Sequence, residues 1–137
     1  MKQACRIQTA KGGSRGQAMV ETALVLPIII LLLMAIIDFG LLFNNFIVLS
    51  NASREGARQA AVGATDAQIA TAIDSLTGTL DDTKRTVSIS PALSLRKHGV
   101  QVTVAIRYES ELVTPVIRVF FPGGKANLNV QTVMRVE

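Results

Sequence analysis

Residues 17–53 are apolar almost without a break, and residues 65–137 alternate apolar with polar positions. The first pattern, with Glu21 and Asp38 its main charges, reads as a helix that has no polar face. It runs on into a mixed stretch rich in Ala and Gly, so one helix is expected over residues 17–63. At 1.5 Å per residue such a helix is about 70 Å long, whereas the hydrocarbon core of a bilayer is about 30 Å thick. The expected membrane span is therefore about residues 18–38, with residues 39–63 continuing beyond it. A cleavable secretory signal has an apolar core of only about 7–15 residues, so this longer stretch reads as an anchor that stays with the chain. Asp38 falls about 31 Å beyond Gln17 along the axis. That is near the outer interface, where its charge is tolerated without a special partner. Residues 39–49 are still apolar and need cover, from the chain's own C-terminal region or from neighbouring helices.

The second pattern predicts a small α+β domain over residues 64–137. Thr65 followed by Gln68 fits a capping box. The helix it opens places Ile69, Ile73 and Leu76 on one face, and Gly78 ends it. Period-two alternation predicts three strands. Residues 86–90 put Val87 and Ile89 on one side. Residues 99–108 align Val100, Val102, Val104, Ile106 and Tyr108. Residues 128–136 align Leu128, Val130, Thr132, Met134 and Val136. Residues 116–121, between Pro115 and Pro122, read as a further edge strand or as a loop packed on the long helix. The fold class is α+β: a long N-terminal membrane helix, a short helix and a small antiparallel sheet. A domain this small with a one-faced sheet is marginal alone, which makes the extramembrane part of the helix its natural partner.

Composition removes several function classes. Only 18% of the residues are charged, against about 25% in ordinary soluble domains, and 49% are hydrophobic. Extended disorder is therefore not expected. Cys5 is the only cysteine and His98 the only histidine, which leaves neither a disulfide framework nor a zinc site. The net charge of +4 suggests a nucleic-acid surface until the charges are located. Lys2, Arg6, Lys11 and Arg15 lie in residues 1–16 without an acid, and beyond them bases and acids balance. The excess is a short basic leader, Gly-rich and flexible towards its end, and no nucleic-acid partner is expected. Because basic flanks stay in the cytoplasm, the N-terminus is expected inside and the C-terminal domain outside. No nucleophile–base pair, metal spacing or phosphate loop is found. His98 reads as a solvated turn residue and Asp81-Asp82 as turn acids. No enzymatic activity, cofactor, metal or small-molecule substrate is expected.

The boundary between leader and helix carries the functional signal. In Arg15-Gly16-Gln17-Ala18-Met19-Val20-Glu21 a glycine precedes the apolar segment, and a lone acid stands five residues after it. This resembles the processing site of type IV pilin-like proteins. The resemblance implies cleavage between Gly16 and Gln17 by a membrane-embedded prepilin peptidase. It also implies an assembly role for Glu21, paired with the N-terminal amine of Gln17, its own or a neighbour's. A carboxylate in an apolar helix is costly unless paired. Such a pair gains on the order of a few kcal/mol of Coulomb energy before desolvation is subtracted, so it sets register more than strength. The plainer reading of the same residues is a Glu21 that snorkels at the cytoplasmic interface and a Gly16 that is the last linker glycine.

Further residues narrow the likeness. The run from Met19 to Pro27, then Asp38-Phe39-Gly40, then Ser53-Arg54-Glu55-Gly56-Ala57-Arg58-Gln59-Ala60-Ala61, is similar to the TadE-like family, across residues 16–63. These are minor pilins, or pseudopilins, of tight-adherence (Flp-type) pilus systems. Thr22 departs from the pattern, standing where the family often has an aromatic residue. The likeness implies a bacterial inner-membrane protein whose partners are the membrane, the prepilin peptidase, other pilin-like subunits and the pilus assembly machinery. Two alternatives stay open: a pseudopilin of a type II secretion-like system, and a signal-anchored extracytoplasmic binding module.

Two helical features have mechanics of their own. Ala52, Gly56 and Ala60 form a small-residue stripe that lets another backbone approach, either a neighbouring helix or the protein's own sheet. Arg54, Glu55 and Arg58 are candidate interaction residues, with Glu55 in reach of Arg58 at i+3 and the arginines otherwise solvated. Pro27 kinks the helix, as a fixed bend or as a soft spot.

Overall fold

The computed structural model describes residues 13–119 and 121–137. Residues 1–12, which hold Lys2, Cys5, Arg6 and Lys11 of the expected leader, and Phe120 of the 116–121 run lie outside them. The element order is α1 (Gly13–Ala61), α2 (Asp66–Leu76), β1 (Arg85–Ser90), β2 (Gln101–Glu111), α3 (Pro115–Arg118) and β3 (Lys125–Arg135). The architecture is α+β, as the periodicity predicts. The sheet is antiparallel in the order β1-β2-β3.

The chain divides into two units, Met1–Met34 and Ala35–Glu137. Over its described residues the first is α1 alone, helical through Pro27. Residues 16–34 are exposed without exception. The helix also begins earlier than expected. It is already helical at Gly13, the first described residue, so the Gly-Ser-Arg-Gly segment read as flexible is helical. Helix propagation from the apolar run is cooperative and outweighs the cost of two glycines, about 1 kcal/mol each relative to Ala.

The second unit holds the core. From residue 38 onwards α1 turns one stripe inward. Leu49, Ala52, Ala57 and Ala60 are fully buried, together with Ile69 and Ile73 of α2 and Val102, Val104 and Ile106 of β2. Each buried Leu or Ile of this set contributes about 1.5–3 kcal/mol relative to exposure. The register pairs Val104 with Ile89 and Thr132, and Ile106 with Val87 and Val130. The inner face is thus the alternating set read from the sequence. Val100 and Val136 fall just outside the strands, though Val136 is buried.

The helix ends show how local chemistry sets the boundaries. Gly63, at φ 84°, ends α1 in the left-handed conformation that only glycine adopts freely. The amide of Ala64 then reaches the Gln59 carbonyl at 3.0 Å, and the amide of Glu137 caps the Ala61 carbonyl at 3.0 Å. Thr65 and Gln68 form the expected capping box, with the Thr65 amide donating to Gln68 Oε1 at 2.9 Å. Two details of α2 differ. Leu76 is exposed, and the helix stops at Thr77, whose hydroxyl donates to the Ile73 carbonyl at 2.8 Å. The helix thus ends one residue before Gly78, where the Thr77 amide still bonds the Ile73 and Asp74 carbonyls. The described residues of the 116–121 run make no edge strand. Pro115 opens the short α3 instead, consistent with proline's preference for a first helical turn.

Gly56 lies against both neighbours of α1. A Cβ there would stand 3.0 Å from Ile73 Cδ1 and 3.3 Å from Val104 Cγ1. Gly56→Leu therefore overpacks the core and is expected to cost about 1–3 kcal/mol. Gly56→Ala is expected to be nearly neutral, because about 1 kcal/mol of helix propensity offsets the small shift required. Thermal unfolding of the full chain in detergent, followed by the signal of the single tyrosine, Tyr108, checks the pair.

Candidate functional site

Three groups of residues are candidates, and all stand on α1. The first is the N-terminal motif. Gly16, Gln17 and Glu21 are helical and exposed. Gly16 has open space around the position of a missing Cβ. Gln17 and Glu21 are four residues apart and so share one helix face. Thr22, the position where the sequence departs from the family pattern, turns its hydroxyl back onto the Ala18 carbonyl at 2.9 Å. This satisfies the side chain within the helix and needs no outside partner. The helix over Gly16–Ala61 is long and apolar enough to cross a membrane.

The second group is the helical segment at residues 52–60. Ala52, Gly56 and Ala60 are buried in the chain's own core, and Gly56 lies against Ile73 of α2 and Val104 of β2. Arg54 is exposed. Glu55 takes a two-pronged contact from Arg58, at 2.9 Å from Nε and 2.6 Å from Nη2, and a third bond from Gln59 Nε2 at 2.9 Å. These donors hold its carboxyl at about 2, well below the ordinary glutamate value.

The third group was not foreseen as a site. Asp38 is 3% exposed, and its two carboxylate oxygens accept the backbone amides of Val113 and Thr114, both at 3.0 Å. The expectation that its charge needs no special partner is therefore corrected: it has two. Two successive amides at the end of β2 form a small anion cradle, and a carboxylate accepting them makes bonds of the stronger, charge-assisted kind. Two further polar contacts lie along the same inward stripe. Asn45 Nδ2 donates to Ser110 Oγ at 3.2 Å. Ser53 Oγ donates to the Val104 carbonyl at 3.0 Å and lies 2.9 Å from the Thr132 hydroxyl. Val104 and Thr132 are cross-strand partners, so Ser53 bridges β2 and β3.

Sequence reading also missed two buried guanidinium groups that hold α2. Arg96, with 1% of its side chain exposed, pairs with Asp66 at the start of that helix and donates to the Pro91 carbonyl at 2.9 Å. Arg85, with 7% exposed, pairs with Asp74 near its end and with Asp82 at 3.0 Å. Asp81 caps the turn between α2 and β1, accepting the Thr83 amide at 3.0 Å. The acid pair is thus used in turn capping and ion pairing. His98 is exposed.

Residues 16–58 match the family model of TadE-like proteins. The matched stretch contains Gly16, Gln17, Glu21, Asp38 and Arg54–Arg58, which bears out the likeness read from the sequence. It ties this segment to proteins associated with tight-adherence pili. No curated protein and no solved structure matches the chain.

Two measurements probe these groups. Asp38→Asn replaces one acceptor by a donor facing a buried amide, and is expected to destabilise the second unit by about 1–3 kcal/mol. Hydrogen exchange at the Val113 and Thr114 amides should accelerate more than exchange within β2. For Glu55 the folded-state value lies below that of the free side chain. Its pairing therefore contributes fully above pH 4.5 and is lost as pH falls through about 2. Carboxyl NMR of the full chain in detergent should place the Glu55 midpoint near 2 rather than 4.5.

Proposed function

We propose that the chain is a minor pilin-like subunit, a pseudopilin, that acts in building a tight-adherence pilus from the bacterial inner membrane. The observation that carries this reading is the uncovered apolar helix that follows Gly16 within a segment matching TadE-like proteins. Apolar surface of this extent needs lipid or the helices of sister subunits around it. A pilin-like subunit uses both in turn. The basic leader keeps the N-terminus in the cytoplasm and the second unit on the far side.

In this reading the prepilin peptidase cuts between Gly16 and Gln17. A helical peptide bond must be unwound before a protease can act on it, and glycine lowers that cost by about 1 kcal/mol relative to Ala. The cut removes the bases of the leader. It leaves a new amino terminus one helical turn from Glu21 on the same face. The lone acid is then neutralised by an amine, its own or a neighbour's, and a mismatched neighbour leaves it unpaired in an apolar setting. Glu21 thus reports alignment. Partners are the peptidase, other pilin-like subunits and the assembly machinery. The proposed role is structural, and no catalytic chemistry is assigned to the chain.

N-terminal analysis of membrane-extracted protein tests the reading. A mature chain beginning at Gln17 is expected in cells that contain the peptidase, and full-length chain in cells that lack it. Full-length chain in both makes the helix a simple tether for an extracytoplasmic module. Glu21→Ala is expected to leave cleavage intact and to abolish or sharply reduce pili counted by electron microscopy. Unchanged pili would remove the assembly role of this carboxylate.

A further inference from the structure

The connection between β2 and β3 carries an apolar surface that the core does not use. Val113 is 60% exposed, Val119 83% and Phe121 39%. Over residues 112–124 the sequence has no acid and one base, Arg118. Arg118 is exposed, with its Nε donating to the Leu112 carbonyl. A hairpin connection in contact only with water is normally polar. This one instead has the composition of a segment at a lipid interface, with aliphatic and aromatic side chains beside a cation.

Its location is fixed by Asp38. The two amides that the carboxylate holds belong to Val113 and Thr114, at the start of this connection. Within the second unit, the loop is thereby tied to the turn of α1 that follows the exposed Ile36 and Ile37. Asp38 is the first charge after Glu21, about 26 Å further along the axis, close to where a bilayer-spanning helix leaves the hydrocarbon. The opposite end of β2, with the turn that holds His98, lies about 33 Å away along an eleven-residue strand.

We propose that residues 113–119 and Phe121 form a second membrane contact, seated in the outer interfacial layer beside the emerging helix. Val113, Val119 and Phe121 face the acyl-chain boundary, and Arg118 lies among anionic headgroups. Asp38 positions the contact by holding the loop at that height. The proposal rests on the membrane-spanning reading of α1 and goes beyond it, because a span alone leaves this loop in water.

The test uses the full chain with Cys5→Ser and one introduced cysteine carrying an environment-sensitive fluorophore. It is reconstituted in phosphatidylcholine–phosphatidylglycerol vesicles with brominated acyl chains. Leu32→Cys reports the span, Val119→Cys the loop and His98→Cys the distant turn. The expected result is loss of fluorescence at position 119 with bromines near the carbonyl end of the lipid. Position 32 should lose most with deep bromines, and position 98 should lose none. Quenching at 32 without quenching at 119 overturns the loop contact and points to a protein partner or water there. No quenching at 32 instead overturns the membrane span itself. Adding Asp38→Asn is expected to reduce quenching at 119 while leaving that at 32 unchanged. Equal quenching at 119 in both backgrounds would remove the positioning role given to Asp38.

Discussion

The three-stranded sheet has one apolar face, and a single helix supplies most of its cover. Val102, Val104 and Ile106 of β2 are fully buried, and leaving them open to water would forfeit several kcal/mol in a domain that has little to spare. The inward stripe of α1, from Asp38 to Ala60, meets them, and α2 fills the remaining side with Ile69 and Ile73. The side chains of the helix follow from this geometry. At Gly56, α1 comes so close to Ile73 of α2 and Val104 of β2 that a Cβ has little room, and Ala52, Ala57, Ala60 and Leu49 are fully buried in the same core.

Apolar contact alone does not fix how such a helix sits, because the hydrophobic effect has no direction. A helix that is apolar all round can slide or rotate on a sheet at small cost. The inward polar residues remove that freedom. Asp38, Asn45 and Ser53 recur at seven and eight residues, two helical turns each, and every one meets a specific group on β2, β3 or the chain that leaves β2. Shifting the helix by one turn strands a buried carboxylate and two buried amides. That penalty is directional and several-fold larger than the loss of one methyl contact.

Much of this was legible in the residues. Strict alternation from Val102 to Tyr108 located the central strand, and Thr65 with Gln68 located the start of α2, because both signals are local. The likeness around Gly16 and Glu21 was legible because it is a spaced motif. What escaped were contacts made across long separations in the chain. Nothing near Asp38 in sequence reveals that the amides of Val113 and Thr114 will meet it, seventy-five and seventy-six residues away. The same holds for Arg96 and Asp66, thirty residues apart. The one available hint was the recurrence of Asp38, Asn45 and Ser53 at two-turn intervals on one face of a largely apolar helix, which an anchor has no reason to maintain. Local chemistry also misled in small ways. A glycine at 78 looked like the natural stop of α2, yet the helix ends at Thr77, whose buried hydroxyl donates to the Ile73 carbonyl and accepts from Arg85, a residue eight positions on.

The opposite side of α1 shows how far the helix is committed to something outside the chain. Phe39, Phe43, Phe46 and Ile47 are exposed on it, with the Phe39 and Phe43 rings stacked at 6.4 Å. Leu49, by contrast, faces the core, so the apolar run over residues 39–49 serves two surfaces at once. On the outward side the run ends at Ile47, and Arg54 and Arg58 then face solvent. Any cover for the aromatic stretch therefore extends about 14 Å beyond Asp38 along the helix and no further. A bilayer is too thin to supply it when Glu21 and Asp38 stand near its two faces, since the segment between them already spans about 26 Å. Lipid can account for the helix up to Asp38, and the sheet accounts for its inward stripe. The aromatic residues just above are left for a neighbour with an apolar flank of its own, which in the proposed pilin-like role is a sister helix emerging at the same height.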